Sequence, residues 1–328
     1  MIDRRTWLAR VLTYSTAAAV PAATAPAKGP AVRDSAAQAL QRKVDEVASL
    51  ADQLEIRDFD DVAMAARLAF DAADTRGGRG VTFRVPPRVM HLKAPLKIPD
   101  RIFLVGAGMR DTMFNAHLDG PMFIFSDVTH AGLSHARLGL GNRPATQGIR
   151  IEARRTSVRR LTFAELEIAG GGAAGASAST SQIGIALDGA DDRIITECGF
   201  DRLIFSEVDR PVVERSTEGN EWTRLVIDQF GYRGGIGFDS VANANHYQGR
   251  IAGSPGPGAT AFRQGGYRNM IFLRVDIGND ARALDLNPKG RNIVMMQRPA
   301  QAAPRWVQTP IGDARGNTLI DGDLGSAR

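Results

Sequence analysis

One cysteine, Cys198, stands in a chain of 328 residues, so no internal disulfide can form and packing alone must stabilise the fold. It lies in the apolar run ITECGF, where a small core side chain is expected, and no His follows at a spacing that would make it a catalytic thiol. Aromatic residues are scarce at 6%, with 14 Phe against 3 Trp and 4 Tyr, which leaves the core mainly to Val, Ile, Leu and Ala. The histidines His91, His117, His130, His135 and His246 are scattered without zinc-site spacing, so no metal centre is expected. A Ca²⁺ held by Asp oxygens stays compatible with the sequence. A large excess of either charge is lacking too. The formal net charge is +5, and no dense basic stripe interleaved with aromatics points to nucleic acid. No apolar run is long and clean enough for a stable membrane span, since Val11–Ala25 is broken by Thr, Ser and Pro. A Walker-type phosphate loop is absent. Gly106-Ala107-Gly108 lacks the third Gly of a dinucleotide fingerprint, because Asp111 occupies that place.

What is present begins with a leader. Arg4 and Arg5 form a twin-Arg pair, Trp7 and Leu8 follow, and Ala25 and Ala27 frame a cleavage pattern. Residues 1–27 read as a Tat-type signal peptide, which places the rest of the chain in the periplasm or outside the cell. Removing them takes away three Arg and one Asp, so the net charge falls from +5 to +3. In the polar helical linker of residues 28–55, Leu40, Val44, Val47, Ala51 and Leu54 step by 4, 3, 4 and 3, a heptad seam of about two repeats. Two readings stay open: one helix packing its stripe on the following domain, or a short coiled coil that joins three chains as a homotrimer.

Residues 56–328 form the main domain. After an amphipathic helical pattern, short β-prone runs alternate with Gly, Asn, Asp and Pro. Gly148-Ile149-Arg150-Ile151-Glu152 resembles Gly184-Ile185-Ala186-Leu187-Asp188, then Gly235-Ile236-Gly237-Phe238-Asp239 and, more weakly, Ala281-Arg282-Ala283-Leu284-Asp285. Their acidic ends are 36, 51 and 46 residues apart. A second strand type falls between them, at 157–163, 193–200, 268–275 and 291–296. Two strand types per interval fit stacked coils of roughly 18 to 25 residues. Hairpin turn signals are too few for a sandwich. The low-complexity stretches 169–182 and 252–259 read as loops at coil corners.

Over Ile56–Thr112 the order DF, helix ending DAAD, GGRG-VTFRVPP, then RIFLVGAGMRDT resembles the start of the pectate-lyase-like superfamily. The resemblance implies an all-β, single-stranded right-handed parallel β-helix with an N-terminal capping helix. It also implies a polysaccharide substrate or ligand, handled by lyase or glycoside-hydrolase chemistry or, in tailspike-like members, by a trimeric appendage. A noncatalytic adhesin or appendage is the alternative. The chain departs from the family where Asp58-Phe59 runs almost directly into the helix without the usual Gly-Asp-Gly loop, and the polygalacturonase-type motifs are also missing.

The densest acidic cluster is Asp188, Asp191 and Asp192, with Glu197 one strand along. Paired carboxylates suit glycosidic cleavage, so these four are the expected catalytic residues. Ordinary turn chemistry, in which Asp bonds its own backbone, also accounts for the same Asp residues. Arg193 is the expected partner of a sugar carboxylate. His246 and Tyr247 are expected to bind substrate, although strand alternation should send them to opposite faces. Arg150, Arg154, Arg155, Arg159, Arg160, Arg193 and Arg202, if outward on stacked strands, would attract acidic sugars.

Overall fold

A computed structural model describes residues 81–298, apart from 86, 88, 172–180, 191, 232–234 and 279–280, together with residues 316–323. The expected signal peptide, the heptad seam, the capping helix and Asp191 lie outside the described residues. Within them the chain is a parallel β-solenoid of 22 strands, with no helix and so none able to cross a membrane. The strands stack into sheets of 12 and 10, and every strand pairing is parallel. This is the stacked-coil architecture expected from the repeating strands and from the resemblance over Ile56–Thr112.

Each coil crosses the larger sheet, turns onto the smaller, and returns around a narrow third face. That face is made of Val158–Arg159 and Ile195–Thr196, continued by the ends of Arg210–Glu218 and Ile236–Asn243. Alternation along each strand sends one set of side chains into the lumen. In the larger sheet a single inward row runs Leu133, Phe163, Phe200, Trp222, Tyr247, Ile271, Val294. Phe200 and Trp222 stack with ring centroids 3.8 Å apart at 6°. Such aromatic pairs add about 0.5–1.5 kcal/mol beyond the area they bury. Cys198 is buried and, as expected, is a core side chain; burial pushes its thiol up to about 12.

Where the third face turns into the larger sheet, one residue per coil takes the left-handed conformation. In stacking order these are Arg101, His130, Arg160, Glu197, Gly219, Ala244, Arg268 and Arg291, with φ between 52° and 64°. In the later coils the next residue is a buried Asn whose side chain caps the coil before it. Cys198 N donates to Asn220 Oδ1 (2.9 Å), Asn220 N to Asn245 (2.8 Å), Asn245 N to Asn269 (2.9 Å), Asn269 N to Asn292 (3.0 Å) and Asn292 N to Asn317 (2.9 Å). The ladder satisfies amides that a bend would otherwise leave unpaired inside the wall. Gly106 shows the tightest use of a missing side chain in the Gly-Ala-Gly turn. A Cβ there would lie 2.1 Å from the carbonyl oxygen of His135 on the next coil.

The smaller sheet corrects one register. Gly148–Glu152 and Gly184–Asp188 stack as expected, with Glu152 opposite Asp188. Gly235–Asp239 is shifted by two residues, because Phe238 pairs with Val212 and so aligns with Ile185. Asp239 therefore does not continue the Glu152–Asp188 row. It is fully buried beneath Arg263 (2.8 and 2.7 Å), Arg215 (2.6 Å) and Arg210 (3.4 Å). Burial alone would raise its carboxyl; the hydrogen bonds from Arg263 and Arg215 outweigh that and hold it below the usual range.

Candidate functional site

The third face is only two residues wide, so alternation decides what it shows. Val158, Ile195 and Thr217 turn inward and are buried, while Arg159, Thr196 and Glu218 form the outward row. The left-handed corner bounds the face on one side. The loops after Gln147–Glu152 and Ile183–Asp188 bound it on the other.

Asp127 shapes the first of those loops. One carboxylate oxygen accepts hydrogen bonds from the backbone N–H groups of Arg154 (2.8 Å), Arg155 (2.7 Å) and Thr156 (3.1 Å). Burial pulls this carboxyl up, but the amides of Arg155, Thr156 and Arg154 bring it below its ordinary range. Arg154 and Arg155 project from that loop and are exposed. Arg154 reaches back in a fork to the buried Glu152, with contacts of 2.7 and 2.9 Å. In the second loop Arg193 donates to Asp192 Oδ1 (2.9 Å) and to the carbonyl of Arg154, which ties the two loops together. At the corner Arg160 Nε donates to Glu197 Oε2 (2.7 Å), and its Nη1 lies 3.4 Å from His130 Nε2.

One coil thus supplies Arg154, Arg155, Arg159 and Arg160 to this face, and the next coil supplies Arg193. Three expected site residues, Asp192, Arg193 and Glu197, sit on the same ridge. Asp188 lies at the end of the smaller sheet, paired to Arg150 at 2.9 Å rather than turned to the ridge. His246 is elsewhere, on the outer wall of the larger sheet, 3.8 Å from Glu221 and edge-on to Phe272. Tyr247 does turn the opposite way from His246, but its side chain is fully buried in the lumen. A substrate-binding role does not fit that position, because a polymer on the outer wall has no path to the phenol.

Tyr247 belongs to a polar node that the sequence did not reveal. Its hydroxyl donates to Glu214 Oε2 (2.8 Å), as does Ser240 (2.9 Å), while Thr217 and Asn245 both donate to Oε1 at 2.8 Å. Gln264 donates to Ser240 (3.1 Å) and to Tyr247 (3.2 Å). Burial holds the Glu214 carboxyl above its ordinary range despite these donors. The inward phase of the strand containing Pro211-Val212-Val213-Glu214 was the available signal, but that coil carries no Gly-initiated repeat.

These environments limit the chemistry. A glycosidase acid must hold its proton near neutral pH, which needs a raised carboxyl. Arg193 holds Asp192 below the usual carboxylate range, and Arg160, with help from Arg159, does the same for Glu197. Glu214 is raised but sealed inside. The ridge therefore offers cations and the His130 imidazole, which suit an acidic sugar, with Asp192 and Glu197 paired to Arg193 and Arg160. Among the described residues no group of three or more His, Cys, Asp or Glu could hold a metal ion.

No family model matches the chain, and no curated protein matches it significantly. Among solved structures it is similar to ORF18 of Geobacillus virus E2, at 13% identity and TM-score 0.45, over 79% of this chain. The chain spans 58% of the length of that viral protein. It is also similar to the A-module of Azotobacter vinelandii mannuronan C-5 epimerase AlgE6, at 14% identity and TM-score 0.40, over 80% of this chain and 94% of that one. For the AlgE4 A-module the values are 15%, 0.32, 79% and 84%.

Proposed function

We propose that this is an exported polysaccharide-binding protein that holds an acidic polysaccharide against the arginine ridge of its third face. The observation that carries the reading is the convergence of Arg154, Arg155, Arg159, Arg160 and Arg193 from two adjacent coils onto one narrow outer face. Arginine suits this task because its planar fork meets a carboxylate with two parallel hydrogen bonds and keeps its charge at any working pH. Arg155 and Arg159 are exposed and are the first choice for substitution. Titrating the protein with acidic and neutral polysaccharides tests the proposal. Acidic polymers should bind, neutral ones should not, and Arg155→Ala with Arg159→Ala should weaken binding by roughly tenfold or more. Equal binding of neutral polymers would remove it.

A second reading adds chemistry at the same place, and His130 beside Arg160 favours it. In β-elimination a base removes the proton next to a uronate carboxyl that cations neutralise; the C–O bond to the glycosidic oxygen breaks, that oxygen takes up a proton from water or from the protonated base, and a carbon–carbon double bond forms. His130 would take the proton, and the ridge arginines would stabilise the charge on the carboxylate. Asp191 and Asp192 are tested with Asp→Asn changes at each. Unsaturated uronate products that vanish in His130→Ala would support elimination. New reducing ends without unsaturation would support hydrolysis at the carboxylates. Binding without either product would leave an adhesin or appendage.

A further inference from the structure

The charges along the left-handed corner are not uniform. In stacking order they read Arg101, His130, Arg160, Glu197, Gly219, Ala244, Arg268, Arg291. The outward row beside them reads Thr129, Arg159, Thr196, Glu218, Asn243, Tyr267. Cations therefore gather at Arg159–Arg160 and again at Arg268–Arg291. The carboxylates of Glu197 and Glu218, then uncharged positions, separate the two groups. Neighbouring coils are about 4.8 Å apart, so the four steps from Arg160 to Arg268 span roughly 19 Å.

The second group has a feature the first lacks. Tyr267 is 50% exposed, unlike Tyr247. Arg268, Lys289 and Arg291 are exposed around it. The backbone beneath is fixed: Tyr267 N donates to Asn243 Oδ1 (3.0 Å), its carbonyl accepts from Ala244 N (2.9 Å), and Lys289 N donates to Asn287 Oδ1 (3.1 Å). An outward phenol ring offers a flat apolar face to the C–H side of a sugar, and the neighbouring cations suit an acidic substituent.

We infer that Tyr267, Arg268, Lys289 and Arg291 form a second carbohydrate subsite, and that the ligand is a polysaccharide whose acidic groups recur every few sugars rather than on each one. The inference rests on the ridge reading above and narrows its substrate class. A polymer charged on every sugar, laid along the solenoid axis, would place carboxylates against Glu197 one step from Arg160, where the ion pair between the two already engages the guanidinium, and against the outward carboxylate of Glu218 one step further. Those distances, roughly 5 and 10 Å, lie within the screening length at ordinary salt. A sparsely charged polymer would pass neutral sugars over that stretch and bring its next acid to Arg268.

The test compares binding of the full chain to three probes: gellan, with one uronate in each tetrasaccharide repeat; polygalacturonate, with one on every sugar; and neutral dextran. Gellan should bind about tenfold tighter than polygalacturonate. Tyr267→Ala combined with Arg268→Gly should weaken gellan binding by about the same factor. Gly suits the backbone at Arg268, where φ is 57°, so an unchanged melting temperature would separate lost binding from lost fold. Glu218→Gln should strengthen polygalacturonate binding. Polygalacturonate binding as tightly as gellan would overturn the inference. So would unchanged gellan binding in the Tyr267/Arg268 variant while Arg155→Ala with Arg159→Ala still weakens it, and the ridge reading would survive that result. Failure of both acidic polymers to bind would overturn the ridge reading, and this inference with it.

Discussion

A residue other than glycine in the left-handed region carries a penalty of about 1–2 kcal/mol. Arg160 accepts it at φ 55° and Arg268 at φ 57°. The exposed Arg160–Glu197 pair offsets little of that, because water and salt screen charges held at the surface. Arg160→Gly should therefore keep or raise the melting temperature while reducing affinity for acidic polymers. A melting point several degrees lower would show that the guanidinium, not the backbone, sets the corner. Glu214 poses the opposite problem, being buried with its folded carboxyl raised above its unfolded value. Its contribution to stability is full below the unfolded carboxyl range, near pH 4.3, and is lost as pH rises through the raised folded value. Glu214→Gln keeps a polar group for the node and removes that dependence. Melting curves of the two proteins should draw apart as pH increases, with the wild type falling relative to the variant; parallel curves would contradict the assignment. Asp239 runs the other way, because Arg263 and Arg215 hold it low. Wild type should lose its advantage over Asp239→Asn as pH falls through the carboxylate range, which acid titration of stability would show.

At the scale of the strand and the ladder, the buried asparagines couple successive coils. Removing Asn269 takes away the acceptor for the Asn245 amide and the donor to the Ala242 carbonyl. Each buried group left unpaired costs about 1–3 kcal/mol. Asn269→Ala should thus destabilise more than Asn317→Ala at the end of the ladder, and urea unfolding compares the two directly. Equal losses would mean that the ladder does not act as a stack. The ladder was present in the sequence as Asn220, Asn245, Asn269, Asn292 and Asn317, at separations of 25, 24, 23 and 25. Aligning repeats on their acidic ends missed it. Those ends face outward, where one coil tolerates Asp188 exposed and another seals Asp239 beneath three arginines. Inward and corner positions are the constrained ones, so they carry the period. The same choice of landmark passed over the coil containing Arg210–Glu218 and placed Gly235–Asp239 two residues out of register.

For the whole molecule, the stacked-coil architecture was legible because short alternating strands and few hairpin turns exclude most other all-β folds. The site was legible in part. Arg154, Arg155, Arg159, Arg160 and Arg193 were visible as residues, but their meeting on one face depends on two loops that Asp127 and Arg193 hold in place. Tyr247 and His246 are adjacent in sequence, and strand alternation already predicted the opposite faces that the structure shows; what the sequence did not show is that the inward phenol belongs to a sealed node around Glu214. The central claim is that the third face grips an acidic polysaccharide through its arginines, and the salt dependence of binding measures this most directly. Affinity for an acidic polymer should fall steeply between low and high ionic strength, and more shallowly once Arg155 and Arg159 are both replaced by Ala. Binding that ignores salt, or that keeps the same salt dependence without those two arginines, would contradict the account.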